Sequence, residues 1–70
     1  MRFDVYGRFQ LEVCRERGQW IAYRISLGKR SKIDDFVVPD DLSTSHEIAQ
    51  FIDALYHEYA RPGQAVELLR

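Results

Sequence analysis

The sequence has little of what often stabilises small proteins, because its 70 residues include one cysteine and two prolines. A single cysteine excludes an internal disulfide, and no cysteine–histidine cluster has the spacing of a structural zinc site. No apolar run is long enough to cross a bilayer, and the first residues lack the apolar core of a signal peptide. We therefore expect a cytoplasmic protein with no membrane partner, in agreement with the unpaired cysteine.

The signature motifs of several large enzyme classes are also missing. The chain has no glycine-rich phosphate loop, no serine nucleophile elbow and no HExxH metal-binding helix. Nothing in the sequence indicates a cofactor. We therefore predict that the protein is not an enzyme, and that it has no catalytic, cofactor-binding or metal-binding residue.

What is present is the composition of one small globular domain, 46% hydrophobic and 30% charged, and we assign residues 1–70 to it. A domain of this size buries only about 60% of the surface that its unfolded chain exposes, so a partner or a second copy would add stability. The net charge of −1 conceals a split. Residues 1–32 carry eight Lys/Arg and three acidic residues, whereas residues 33–70 carry two Lys/Arg and eight acidic residues.

Alternation of apolar and polar residues predicts three strands in the first half of the chain. The first covers residues 3–14, and Gly7 indicates a bulge or a bend between two pieces of it. A hairpin loop of three to five residues leads to a second strand over residues 20–27. A turn at residues 28–31 leads to a third, weaker strand over residues 33–38.

The same alternation assigns the side chains of these strands to faces. In the first strand Phe9, Leu11 and Val13 are predicted to face the core. In the second strand the predicted core-facing residues are Ile21, Tyr23, Ile25 and Leu27. The residues predicted to face outward are Trp20, Ala22, Arg24 and Ser26.

A helix is predicted over residues 45–60. Thr44 and Glu47 fit a capping box at its start, and Pro62-Gly63 ends it. Its apolar residues lie within one arc: Ile48, Phe51, Ile52, Leu55, Tyr56 and Tyr59. For the apolar tail, residues 64–70, three placements are open: a strand at the sheet edge, packing beside the helix, or contact with another chain.

These elements predict an α+β fold with the order β-β-β-α. It consists of an antiparallel sheet of three strands, or four if the tail joins it. One C-terminal amphipathic helix packs on one face of this sheet.

Candidate chemistry on the helix is weak. Asp53 and His57, four residues apart on its polar side, could orient an imidazole or begin a metal site. His46 lies about 16 Å from His57 along the axis, at 1.5 Å per residue, so one metal cannot join both histidines. We interpret this side as a solvated helix face with a mild side-chain interaction.

Two other features have a plain interpretation. Cys14 has no histidine placed near it by local spacing, so we interpret it as a surface thiol and not as a nucleophile. The acid pairs Asp34-Asp35 and Asp40-Asp41 lack the alternating ligands and the glycine of a calcium loop. We expect Asp41 to support the start of the helix, where negative charge is favoured.

The predicted outer face of the sheet is the surface with most functional interest. An exposed tryptophan flanked by arginines, on a sheet with no second layer, suits contact with protein or nucleic acid. The alternative is that the tail covers Trp20 or that Trp20 packs against arginine stems. The predicted interaction surface consists of Arg8, Gln10, Trp20, Arg24, Lys29 and Arg30.

Short stretches of the chain carry two resemblances. The first involves Val5-Tyr6-Gly7-Arg8-Phe9, Gln19-Trp20-Ile21-Ala22-Tyr23-Arg24 and Ala60-Arg61-Pro62-Gly63. With these the chain resembles, over nearly its whole length, a family of short bacterial proteins of unknown function, which implies no activity. Separately, residues 18–25 are similar to the second strand of plant-type AP2 DNA-binding domains, which place three strands before one helix. The chain lacks the arginine-rich first strand and the alanine-rich helix of that family, so this likeness is one of layout.

Two functions follow as hypotheses. The first is a small interaction module that binds another protein or its own copy, favoured by the small core, the Trp/Arg face, the apolar tail and the charge split. The alternative is a nucleic-acid-binding domain that uses the basic outer face of the sheet. An isoelectric point near 6.1 speaks against the alternative.

Overall fold

The structure is a computed structural model that describes residues 1–69. Five strands and one α-helix form it. The strands are β1 (Arg2–Val5), β2 (Phe9–Glu16), β3 (Gln19–Ser26), β4 (Lys29–Lys32) and β5 (Val66–Leu69). The helix α1 (Ser45–Tyr56) is followed by a short 3-10 turn, His57–Tyr59.

The strands form one antiparallel sheet in the order β4-β3-β2-β1-β5. The α+β class is therefore confirmed, but the prediction of three or four strands was wrong, and so was the C-terminal position of the helix. The tail passes from the helix to the sheet edge, where Val66 pairs with Val5 and Leu69 with Arg2. This is the first of the three placements that the sequence left open.

Three tight turns join the first four strands, and each contains a dipeptide that ends in glycine. Tyr6-Gly7, Arg17-Gly18 and Leu27-Gly28 all have positive φ at both residues, as type I′ hairpin turns require. Gly7 therefore separates two strands instead of bending one. Leu27, predicted in the core, is fully exposed in a turn.

The predicted faces of β3 were inverted. Glu16 pairs with Gln19, so the hairpin loop is only Arg17-Gly18, and the resulting register places Val13 opposite Ala22. Directly opposed residues of antiparallel strands lie on the same face of the sheet. Trp20, Ala22 and Arg24 consequently share the face of Leu11 and Val13, which α1 covers; Ile21, Tyr23 and Ile25 lie on the other face.

The third predicted strand is displaced. The strand β4 ends at Lys32, and residues 33–38 are irregular. This segment still contributes to the core, because Val38 is buried and Ile33 and Phe36 pack against the buried cluster.

The core lies between one face of the sheet and α1. Its members from the sheet, the loops and the helix are Phe3, Val5, Tyr6, Leu11, Val13, Ala22, Val38, Ile48 and Ile52. The predicted capping box is confirmed, since the Thr44 side chain accepts a hydrogen bond from the Glu47 N–H and the Glu47 carboxylate accepts one from the Thr44 N–H. The α-helix ends four residues earlier than predicted, and the 3-10 turn carries the chain towards Pro62.

Candidate functional site

The face of the sheet that points away from α1, which we call the open face, has no second layer over it in residues 1–69. It carries a mixed set of charged, polar and apolar side chains, many of them half-buried by their neighbours. The strand registers place on it Arg2, Asp4, Gln10, Glu12, Cys14, Glu16, Gln19, Ile21, Tyr23, Ile25, Arg30, Lys32, Glu67 and Leu69.

A charged network occupies the middle of the open face. The Glu12 carboxylate lies 3.1 Å from the Arg30 guanidinium and 3.4 Å from that of Arg2. The Cys14 thiol also donates to Glu12, at 3.4 Å. This hydrogen bond, followed by the charges of Arg30 and Arg2, holds the pKa of Glu12 below its usual value. Glu12 is therefore ionised at neutral pH and orders the residues around it.

Tyr23 links this network to the apolar part of the open face. The Arg30 guanidinium lies 3.8 Å above the centre of the Tyr23 ring, a cation–π contact. The Tyr23 hydroxyl donates to the Glu16 carboxylate at 2.8 Å, which raises the pKa of Tyr23. On either side of Tyr23 along β3 lie Ile21 and Ile25, both half-buried. The open face thus offers an ordered row of three large side chains.

The structure divides the predicted interaction surface between two sides of the sheet. Gln10 and Arg30 lie on the open face, and Lys29 begins β4 at the sheet edge. Arg8 lies in the turn after β1. Trp20 and Arg24 lie on the side of the helix, so the exposed Trp/Arg surface predicted from the sequence does not form.

Trp20 is covered by the loop before α1. Its indole N–H donates to the carbonyl oxygen of Leu42 at 2.8 Å, and the Arg15 guanidinium lies 4.3 Å from the ring centre. Trp20 is therefore covered, but by this loop and the Arg15 guanidinium and not by the tail, which pairs with β1.

The residues that sequence reasoning missed on the open face are Ile21, Tyr23 and Ile25. The signal that could have found them is the dipeptide Arg17-Gly18. A two-residue hairpin loop at this dipeptide fixes which residue of β2 pairs with each residue of β3. The pairing in turn fixes the face on which every β3 side chain lies.

A comparison with protein-family models gives one match, over residues 1–70, to DUF7661, described as a domain of unknown function. The chain belongs to the DUF7661 family. The predicted membership of an uncharacterised family is thereby confirmed. A search of the curated proteins finds no match, and a search of the solved structures finds none either.

Of the candidate residues on the polar side of α1 in this DUF7661 chain, Asp53 has a structural partner. The Asp53 carboxylate accepts a hydrogen bond from the hydroxyl of Tyr6, which ties the first hairpin to α1. Burial, then this contact, raises the pKa of Tyr6 to about 12. Within residues 1–69 no group of three or more His, Cys, Asp and Glu side chains is placed to hold a metal, and no helix has the length and apolarity of a membrane span.

Proposed function

We propose that the protein is a non-catalytic binding module that pairs with a second copy of itself through the open face. The observation that carries this proposal is the row of Ile21, Tyr23 and Ile25 along β3. An antiparallel sheet with one face in water usually alternates apolar and polar residues so that the wet face is polar. A row of large apolar side chains on that face is instead typical of a contact surface.

The charge of the open face supports a second copy as the partner. Three basic residues and four acidic ones lie on it. Its net charge is therefore close to zero, and two copies of the face repel each other only weakly. These residues are Arg2, Arg30 and Lys32, and Asp4, Glu12, Glu16 and Glu67. A two-fold contact needs a surface that complements itself. A carboxylate flanked by two guanidiniums, as Glu12 is, provides both signs within one small area.

The edge of the sheet at β4 disfavours extension of the sheet on that side. The edge strand β4 reads Lys-Arg-Ser-Lys, and lysines on an edge disfavour pairing with another strand. Two open faces would pack about 10 Å apart, with the helices on the outside. A typical interface of about 800 Å² per partner would use roughly one sixth of the 5041 Å² surface of the chain.

The nucleic-acid alternative has less support. It was based on a basic outer face with Trp20 and Arg24, and these two residues lie on the side of the helix. The open face itself lacks the positive charge that phosphate contacts need. We place the module in the bacterial cytoplasm, on the basis of the unpaired Cys14 and of the family resemblance.

Sedimentation equilibrium over a wide concentration range tests the proposal. We expect the wild-type mass to rise from 8.3 kDa towards twice that value. Ile25→Glu, which buries a charge in the contact, should stay monomeric. Leu27→Glu is the matched control, because Leu27 lies two residues further on but is fully exposed in a turn.

Either of two results would overturn the proposal: a wild-type protein that stays monomeric throughout, or Ile25→Glu that associates as the wild type does. Circular dichroism shows whether each variant is folded. If Ile25→Glu does not fold, Tyr23→Gln tests the same face with a smaller change.

A further inference from the structure

A second surface lies on the opposite side of the sheet, where β2 begins and α1 ends. A cleft of about 390 Å³ opens there, within the range of about 300–1,000 Å³ that small-molecule sites have. Two arginines and three aromatic residues line it: Arg8, Phe9, Arg24, Tyr56 and Tyr59. None of the five belongs to the open face.

The aromatic residues form one side of the cleft. The rings of Phe9 and Tyr56 meet edge to face, with their centres 5.3 Å apart, and the ring of Tyr59 lies 6.4 Å from that of Tyr56. Phe9 and Tyr56 are half-buried, which fixes them, whereas Tyr59 is 55% exposed. Tyr59 therefore offers a ring on which a flat ligand can stack.

The two arginines provide positive charge beside these rings. The Arg24 guanidinium lies 4.2 Å from the centre of the Phe9 ring, and stacking leaves the N–H groups at its edge free to donate. Among residues 1–69, Arg2, Arg15 and Arg30 form ion pairs within 4.0 Å, but Arg8 and Arg24 do not. Two uncompensated guanidiniums at one cleft are a typical arrangement for binding an anion.

Charges of both signs act within the cleft. Burial, then the negative charge of Asp35, raises the pKa of Tyr56, and the positive charge of Arg24 opposes this rise. The carbonyl end of α1 is also negative. An anionic group is therefore favoured on the side of Arg8 and Arg24, and a neutral ring on the side of Tyr59.

We propose that this cleft binds a nucleotide, with the phosphate on Arg8 and Arg24 and the base stacked on Tyr59. Guanidinium forks match the oxygens of a phosphate, and base stacking on an aromatic side chain tolerates any base. The same chemistry is found in a free nucleotide and in one unit of a single strand. The proposal does not depend on self-pairing, since the cleft and the open face lie on opposite sides of the sheet.

Isothermal titration calorimetry on the full chain tests this site with four probes: AMP, adenosine, inorganic phosphate and an eight-nucleotide oligoadenylate. We expect AMP to bind at least about tenfold more tightly than adenosine or phosphate, because only AMP engages both sides of the cleft. Arg24→Gln and, independently, Arg8→Gln should each weaken AMP about tenfold. Tyr59→Ala should weaken AMP but not phosphate.

Arg17→Gln is the matched control, because it removes one positive charge at the far end of β2 and should leave the affinity unchanged. Equal losses in Arg17→Gln and Arg24→Gln would overturn the proposal, since they would indicate unspecific attraction. Equal affinity for phosphate and AMP would overturn it as well.

Tighter binding of the oligonucleotide than of AMP identifies a single strand as the source of the nucleotide, and equal affinity identifies the free nucleotide. Ile21→Glu, which places a charge on the open face away from Arg8 and Arg24, should prevent self-pairing but bind AMP as the wild type does, so the two proposals can be tested separately.

Discussion

The indole N–H of Trp20 donates a hydrogen bond to the carbonyl oxygen of Leu42, with 2.8 Å between nitrogen and oxygen. This bond ties β3 to the loop before α1 and holds Trp20 on the covered side of the sheet. Because side chains alternate along a strand, the neighbours Ile21 and Tyr23 must then lie on the open face. The position of the proposed contact surface thus depends on this register.

Trp20→Phe keeps an aromatic ring but removes the donor to Leu42. We expect the free energy of unfolding to fall by about 1–2 kcal/mol, because a half-buried carbonyl group loses its partner. Urea unfolding measures this change. Tyr59→Phe, which removes a hydroxyl from an exposed ring, is the control and should change stability by less than about 0.5 kcal/mol. Equal stability of Trp20→Phe and wild type would contradict the hydrogen bond.

Leu27→Asn should stabilise the protein. Leu27 is fully exposed and has a φ of 52°, a conformation that asparagine adopts at lower cost than leucine. We expect a gain of about 0.5–1 kcal/mol in thermal or urea unfolding. Leu27→Ala should bring no such gain, because alanine lacks the polar side chain with which asparagine hydrogen-bonds to the local backbone in this conformation. A gain in Leu27→Ala equal to that in Leu27→Asn would show that removal of the apolar side chain, and not the backbone, is responsible.

Thr44→Ala should destabilise α1. The Thr44 hydroxyl accepts from the Glu47 N–H at 3.1 Å, and replacing such a cap by alanine costs about 1 kcal/mol. Urea unfolding measures the loss, and Thr44→Ser, which keeps the acceptor, should restore most of it. If Thr44→Ser were as unstable as Thr44→Ala, the capping hydrogen bond would not be the cause.

The capping box also predicts a loss of stability in acid. Hydrogen bonds from the N–H groups of Ser43 and Thr44 hold the pKa of Glu47 below its ordinary value of 4.5. Because the pKa is lower in the folded than in the unfolded state, this stabilisation is fully present above about pH 4.5 and is lost as the pH falls through the folded value. Unfolding measured between pH 6 and pH 3 should show a shallower decline in Glu47→Gln than in the wild type. An identical decline would contradict the role of Glu47; Glu12 contributes a second part of the decline in both proteins.

The helix could be predicted from the sequence because its signals are local. Thr44 and Glu47 are three residues apart, and Ile48 and Ile52 follow at helical spacing. The end of the helix was less accurate, because the change to a 3-10 turn at His57 has no signal in the residue types around it.

The sheet was harder, since its faces depend on pairing between distant residues. Period-two alternation in β3 is consistent with either face inward, and the choice depends on the length of the loop at Arg17-Gly18. Likewise the strand β5 could not be assigned, because its pairing with β1 joins residues more than sixty positions apart. The arginine–aromatic cleft depends on the same register, which brings Arg24 next to Phe9.

Alkylation of Cys14 tests most directly the claim that the open face is the contact between two copies. Cys14 is a half-buried thiol on that face, opposite Ile21, so the proposed contact would cover it. The account predicts that the rate of its reaction with iodoacetamide falls as the wild-type concentration rises, and that the rate in Ile25→Glu stays constant. A wild-type rate that is the same at every concentration would contradict the account.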